Sequence, residues 1–486
     1  MRSIVSGALL VVAMRWTDRL IGFLSTLILA RLLLPDDFGV IAMASVIIGL
    51  VDVLLNLGVH VPLIQNKNPT QAHYDTAWTL RILQSAATML LIIVSAPFAA
   101  RYFNEPRIVD VMMVLAMSLL VGALENIGVV NFQKEMRFAE DFRFLFLRRI
   151  LAFVVTLVFA FALKSYWALV IGTVIGRIAG VVLSYTMHPM RPRLSLATLR
   201  EIFSVSQWML MRNITGYLET RLHLVVVGGR EDSATTGAYG LADEVASLPT
   251  TELLAPLNRV LFPAFVAVKD NLDELRRIFL LSLSLQSLIG IPAGLGLALV
   301  AEQAVPVLLG PNWNVAIPFL QVIAIVNVFN AIGVAGIYVM FALDRVRLTA
   351  YYALAQVLVF AAGAYLLFPG TGAFGISLLR MGSAALLIGV FLVMLTRILP
   401  GLRLAEMGSA ILRPSLATAL MIACVYAGGE SLGSTAILVL IVKIAIGIVV
   451  YCAAITTLWW AAGRPPGAEQ WLLDNLGGRF RRNTST

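Results

Sequence analysis

An all-α integral membrane fold of about fourteen transmembrane helices follows from three observations. Hydrophobic residues make up 59% of the 486 positions and charged residues only 13%, about half the roughly 25% charge of an ordinary soluble domain. Apolar runs of about the 20 residues that one membrane crossing requires recur almost end to end, giving a mean hydropathy of +0.89. Lysine and arginine gather between alternate runs, as loops on one face of a membrane do.

The runs lie near 4–33, 38–61, 76–99, 108–130, 144–163, 166–187 and 204–228, then 236–266, 278–301, 315–341, 348–368, 373–396, 411–428 and 434–462. Pro35-Asp36-Asp37, Asn68-Pro69, Glu105-Pro106 and Pro369-Gly370 punctuate them as turns. With the N-terminus inside, 22 of the 36 basic residues fall on the cytoplasmic side, among them Lys134, Arg137, Arg143, Arg148 and Arg149, and Arg191, Arg193 and Arg200. The other face receives only Arg101, Arg107, Lys164 and Arg230. Both termini are therefore expected in the cytoplasm. The net charge of +9 reports topology rather than nucleic-acid binding, and the basic tail of Arg479, Arg481 and Arg482 belongs at an anionic leaflet.

The longest external loop is about 13 residues (302–314), too short for an extracytoplasmic active site. The sequence has no P-loop, His-Glu-x-x-His, Cys-x-x-Cys or Gly-x-Ser-x-Gly motif, so no catalytic residue, metal or cofactor is expected. Cys424 and Cys452 lie in apolar runs and read as small core residues. The first run continues past Arg15 and Arg19 with no small-residue cleavage site, so it reads as a span rather than a leader. Gly172, Gly176 and Gly180 repeat every four residues, which implies close helix packing.

Spans 1–2 and 7–8 echo one another about 198 residues apart. Met14-Arg15 leads to Gly39 and Met211-Arg212 leads to Gly237. Two units of six spans would share one orientation and be related by an axis along the membrane normal. This gives a first lobe over 1–188, a cytoplasmic linker over 189–203 and a second lobe over 204–397. Spans 13–14 (398–463) form an appendage and 464–486 a basic cytoplasmic tail.

Sixteen charges lie well inside spans, and eleven of them occupy spans 1, 2, 7 and 8. A charge at a span centre costs about 2.5–3.5 kcal/mol on insertion scales, so it faces a cavity or a partner. Two readings stand: ion pairs that staple helices, with Asp18 neutralising Arg15 or Arg19, and a water-filled cavity. Arg15, Arg19, Arg212, Arg221 and Arg259 suit an anionic head group, since a guanidinium fork holds phosphate oxygens with paired hydrogen bonds. Asn56 would join that wall. Asp52, Glu219, Glu252 and Asp18 are candidates for binding a coupling proton or sodium ion. Arg81, Glu125, Arg177, Arg380 and Lys443 are the remaining intramembrane charges.

The chain resembles the polysaccharide transporters, of Wzx and WzxC type, in the multidrug/oligosaccharidyl-lipid/polysaccharide (MOP) exporter superfamily. The carriers of the resemblance are Leu33-Leu34-Pro35-Asp36-Asp37-Phe38-Gly39, Asn56-Leu57-Gly58 leading to Ile64-Gln65, Gln133-Lys134 with Arg137-Phe138, and Trp167-Ala168-Leu169-Val170. Gly237-Ala238-Tyr239, Leu261-Phe262-Pro263-Ala264-Phe265 and Leu309-Gly310-Pro311-Asn312-Trp313 complete it. The resemblance implies two six-helix lobes in a V, alternating access, and a cavity walled by spans 1, 2, 7 and 8. Its cargo would be an undecaprenyl-pyrophosphate-linked oligosaccharide crossing the bacterial inner membrane. Its partners would be membrane lipids, a polysaccharide polymerase and chain-length machinery. Alternatives are a multidrug or lipid II-type exporter of the same superfamily and, from another class, a membrane-embedded polymerase or ligase.

Overall fold

The computed structural model describes residues 2–56, 58, 63–64, 66, 68–199, 207–367, 369–429, 435–465 and 467–471, with the side chains of 2–15, 18, 207–212, 367 and 429 left aside. Among the described residues all regular structure is helical. The long helices are α1 (Arg2–Leu32), α2 (Pro35–Leu55), α3 (Gln71–Tyr102), α4 (Arg107–Ala123), α5 (Phe138–Leu163), α6 (Trp167–Met187) and α7 (Gln207–Gly228). They continue as α8 (Ser233–Ala267), α9 (Leu272–Leu308), α10 (Ile317–Ala342), α11 (Val346–Ala362), α12 (Ala373–Ile398), α13 (Leu404–Gly429) and α14 (Ala436–Ala461). The chain divides into two compact units, Met1–Gly237 and Ala238–Thr486.

Ten of these helices are long and apolar enough to cross a membrane, or eleven if α4 and the bent segment after it form one span. This is a multi-pass membrane protein. Helices α1, α7 and α8 fall outside the set, and they carry ten of the eleven charges counted above: Arg15, Asp18 and Arg19; Arg212, Glu219 and Arg221; and Asp243, Glu244, Glu252 and Arg259. Composition alone therefore supports ten or eleven spans among the described residues, fewer than fourteen.

In the first unit α3 packs on α4, α1 on α5, α5 on α6 and α7 on α2. Val40, Met43, Ile92, Ile108 and Met112 make its core. Helix α2 starts at Pro35, which suits a first helical turn because its missing N–H has no partner to lose there. Asp37 accepts a hydrogen bond from the Leu34 amide at 3.0 Å. The glycine stripe on α6 does what its spacing implies. A side chain at Gly172 would overlap Thr156, and one at Gly176 would stand 2.8 Å from Ala152, so α6 and α5 touch along their backbones.

The run near 108–130 is not one straight helix. Helix α4 stops at Ala123, and the chain bends by 69° into Ile127–Lys134. The cause is Asn126, fully buried, whose Oδ1 accepts from the Gly128 amide at 2.9 Å while its Nδ2 donates to the Met190 carbonyl at 2.7 Å. The carbonyls freed at the helix end need donors. Arg81 supplies them, donating to Ala123 O at 3.1 Å and to Glu125 O.

In the second unit α9 packs on α10, α13 and α14, and α10 on α12. Phe279, Phe391 and Leu395 are fully buried there. Gly294 brings α9 within 2.9 Å of the Ala324 carbonyl, measured to a Cβ built on the glycine. Cys424 and Cys452, expected in the core, are both exposed. On a membrane helix an apolar residue can face lipid instead of the interior. Exposed rows such as Leu90, Val94 and Phe98 on α3 do the same.

Candidate functional site: charged cavities in the first unit

The sequence-derived candidates are distributed unevenly. Arg15, Asp18 and Arg212 lie outside the described side chains. Arg19 on α1 and Glu219 and Arg221 on α7 are exposed. In the second unit Glu252 is half-buried and Arg259 exposed, both on α8. Asn56 closes the end of α2, its Oδ1 accepting from the Gly58 amide at 2.9 Å, and this bond engages the side chain in the turn. His223 is buried, with its Nε2 2.9 Å from the Thr220 carbonyl.

Asp52 is half-buried on α2 and borders a cavity of about 350 Å³ with Ser45, Gly49, Thr173 and Arg177. Beside this position α7 packs tightly, because Tyr217 donates from its hydroxyl to the Val46 carbonyl at 2.7 Å. A side chain at Gly49 would collide with the Tyr217 ring.

Arg177 also lines a second cavity of about 820 Å³, which lies between α1, α5 and α6. Thr17, Ser25, Phe146, Arg148 and Arg149 share that wall. Arg148 lies ten residues into α5, roughly 15 Å along the helix axis, and Arg177 stands at the middle of the 21-residue α6. Arg148 pairs with Glu125 at 3.2 Å. Arg177 donates to the Leu115 carbonyl at 3.1 Å and to Ser118 Oγ at 2.7 Å, both neutral acceptors. The loop pattern of basic residues puts Arg148 and Arg149 at a cytoplasmic loop border. The signal for a deeper placement was present in Phe144-Leu145-Phe146-Leu147, which precedes the two arginines and makes them part of an apolar helix.

A polar cluster sits where α2, α4 and α8 begin. Arg107 holds Asp36 with two hydrogen bonds of 2.6 and 2.9 Å, and Glu105 at 2.6 Å. Ser233 donates to Asp36 and accepts from Arg107 at 3.3 Å. The Arg107 hydrogen bonds hold the Glu105 carboxyl below its ordinary range, outweighing its partial burial. At the same place the backbones touch reciprocally: a Cβ on Gly39 would overlap the Ser233 carbonyl, and one on Gly237 would overlap the Pro35 carbonyl.

Both cavities are thus lined by guanidinium groups inside a multi-pass helical membrane protein. The lipid II flippase MurJ, solved in an inward closed conformation, shares this fold. Its TM-score is 0.77 at 13% identity, over 94% of this chain and 100% of that one. The family model described as polysaccharide biosynthesis protein matches residues 28–318, more than half of the sequence, and the chain belongs to that family. The lipopolysaccharide biosynthesis protein WzxC of Escherichia coli is 27% identical over 321 residues, covering 64% of each chain. The succinoglycan biosynthesis transport protein ExoT of Rhizobium meliloti is 23% identical over 307 residues, covering 62% of each. The chain thus spans somewhat under two thirds of the length of these relatives.

Proposed function

We propose that this chain is a flippase that carries polyprenyl-pyrophosphate-linked oligosaccharide units from the cytoplasmic to the outer leaflet of a bacterial inner membrane, for surface polysaccharide assembly. The observation that carries this reading is membership of the polysaccharide biosynthesis protein family over residues 28–318. Relatives named for lipopolysaccharide biosynthesis and succinoglycan transport support it. In this reading all fourteen helices span the membrane and both termini are cytoplasmic. The lobes 1–188 and 204–397, joined by 189–203, alternate access. Residues 398–463 are an appendage and 464–486 a cytoplasmic tail.

Arg15, Arg19, Arg212, Arg221 and Arg259, with Asn56, contact the pyrophosphate and its glycan. A proton or sodium ion at Asp52, Glu219, Glu252 or Asp18 couples the cycle, and a polymerase with its chain-length machinery receives the product. The test is deletion of the gene followed by analysis of lipid-linked sugars by leaflet. A lipid-linked oligosaccharide that accumulates facing the cytoplasm and clears on complementation is the expected result. An unchanged leaflet distribution would refute the flippase reading.

A further inference from the structure

We propose that the cavity between α1, α5 and α6 is a binding site for the phosphate head of a lipid, gripped by Arg148 and Arg177 with Arg149 at its α1 side. The proposal deepens the flippase reading by giving the pyrophosphate of the cargo a station inside the first unit.

Arg177 lies at mid-helix, half-buried, and among the described residues no carboxylate is in ion-pair contact with it. A guanidinium held at such depth is costly unless an anion reaches it. Its two acceptors, a carbonyl and a hydroxyl, engage one terminal nitrogen. That orients the group; the carboxylate nearest to it, Asp52, borders the smaller cavity with it and makes no ion-pair contact. Arg148 shares a single carboxylate, Glu125.

Glycines let the arginine stems lie flat against neighbouring helices. A Cβ on Gly180 would be 3.1 Å from Arg148 Cδ, and one on Gly122 would be 3.6 Å from Arg177 Cδ. Arg149 reaches across to α1, its guanidinium 2.9 Å from where a Cβ on Gly22 would stand. The volume of about 820 Å³ falls within the roughly 300–1,000 Å³ of ordinary ligand sites. Phe142, Phe146, Ile21 and Leu29 give the same cavity an apolar wall. Forked cations beside aromatic and aliphatic surface match a phosphate attached to a hydrocarbon chain better than a free anion.

Purified protein in detergent, examined by native mass spectrometry with undecaprenyl diphosphate, undecaprenol or phosphatidylglycerol, tests the site. Wild type should retain the diphosphate over the uncharged alcohol. Arg148→Gln and Arg177→Gln should each weaken retention roughly 10- to 150-fold, since a hydrogen bond to a charged group contributes about 1.5–3 kcal/mol. Arg177→Lys should recover part of the loss, because it keeps the charge without the fork. Arg137→Gln, which removes an exposed pair with Glu140, should change nothing. Should the arginine variants fail to fold, Ser25→Phe narrows the cavity without touching a charge and should also reduce retention.

Preference for phosphatidylglycerol over the diphosphate would support the phosphate site and assign it to bulk lipid. Equal retention of diphosphate and alcohol, or undiminished binding in the Arg148→Gln/Arg177→Gln double variant, would overturn it. The binding measurement needs no glycan export, so its outcome is separable from that of the deletion experiment.

Discussion

Arg177 in the first unit and Arg380 in the second both lie inside helices that qualify as membrane spans, yet their surroundings differ. Arg380 on α12 meets Asp243 on α8 at 2.7 Å, with side chains only 16% and 19% exposed, beside the fully buried Tyr239. Arg177 meets a carbonyl and a hydroxyl and borders two cavities. Elsewhere in the second unit Arg276 pairs with Glu406, Arg277 with Glu274, and Arg413 with Glu469. The buried Arg380–Asp243 pair, closed on both sides, fastens two helices. A guanidinium held by neutral acceptors keeps its attraction for an anion. The same residue type thus meets a carboxylate at Arg380 and only neutral acceptors at Arg177.

The contrast is easiest to break at Arg380. Arg380→Ala would strand Asp243 in a buried site, where loss of one partner costs about 3–5 kcal/mol. Membrane abundance and the thermal midpoint in detergent should both fall, and Arg380→Leu/Asp243→Leu should recover much of the loss. An unchanged midpoint in the single variant would remove the pair from its structural role. Next in size is Gly176→Leu, which would force α6 away from Ala152. Overpacking of this kind costs about 1–3 kcal/mol and should appear as lower thermal stability together with lost head-group binding.

Arg177→Gln sharpens the comparison from the other side. It breaks two hydrogen bonds to neutral acceptors and no ion pair, so its stability change should stay within about 1–3 kcal/mol, below that of Arg380→Ala in the same melting assay. The smallest effect belongs to Glu105→Gln, in the partly exposed cluster around Arg107, where about 0–1 kcal/mol is expected. Because Arg107 depresses the Glu105 carboxyl, the stabilisation is complete above the unfolded value of about 4.3. It fades as the pH falls through the lower folded value. Wild-type melting temperatures should therefore converge on those of Glu105→Gln in acid, and a constant gap across that range would count against the assignment.

Helix positions were legible because apolar runs and turn residues are local signals. The run near 166–187 becomes α6 at Trp167–Met187, and that near 373–396 becomes α12 at Ala373–Ile398. Helix α8 runs unbroken through Pro249, Pro256 and Pro263, as its continuous pattern implied. The bend after α4 was not legible, since Asn126 acts through Met190, His188 and Gly128, two of which lie more than 60 residues away. The site was harder still. The arginine cavity collects wall residues from Thr17 to Arg177, and no spacing along the chain joins α1, α5 and α6. Counting Arg148 and Arg149 toward topology also concealed their depth, because one cation serves orientation at a helix end and ligand contact further in.

Gly39 and Gly237 are 198 positions apart, and so are Pro35 and Ser233. The carbonyl of Pro35 abuts Gly237 while the carbonyl of Ser233 abuts Gly39. Each of the two segments therefore offers the other the same surface that it receives, the reciprocity of an isologous contact. An oxygen at one helix start fills the hollow left by a glycine at the other, twice over. A substitution at either glycine should therefore disturb the same two helix starts, because each hollow is filled by the other segment's backbone.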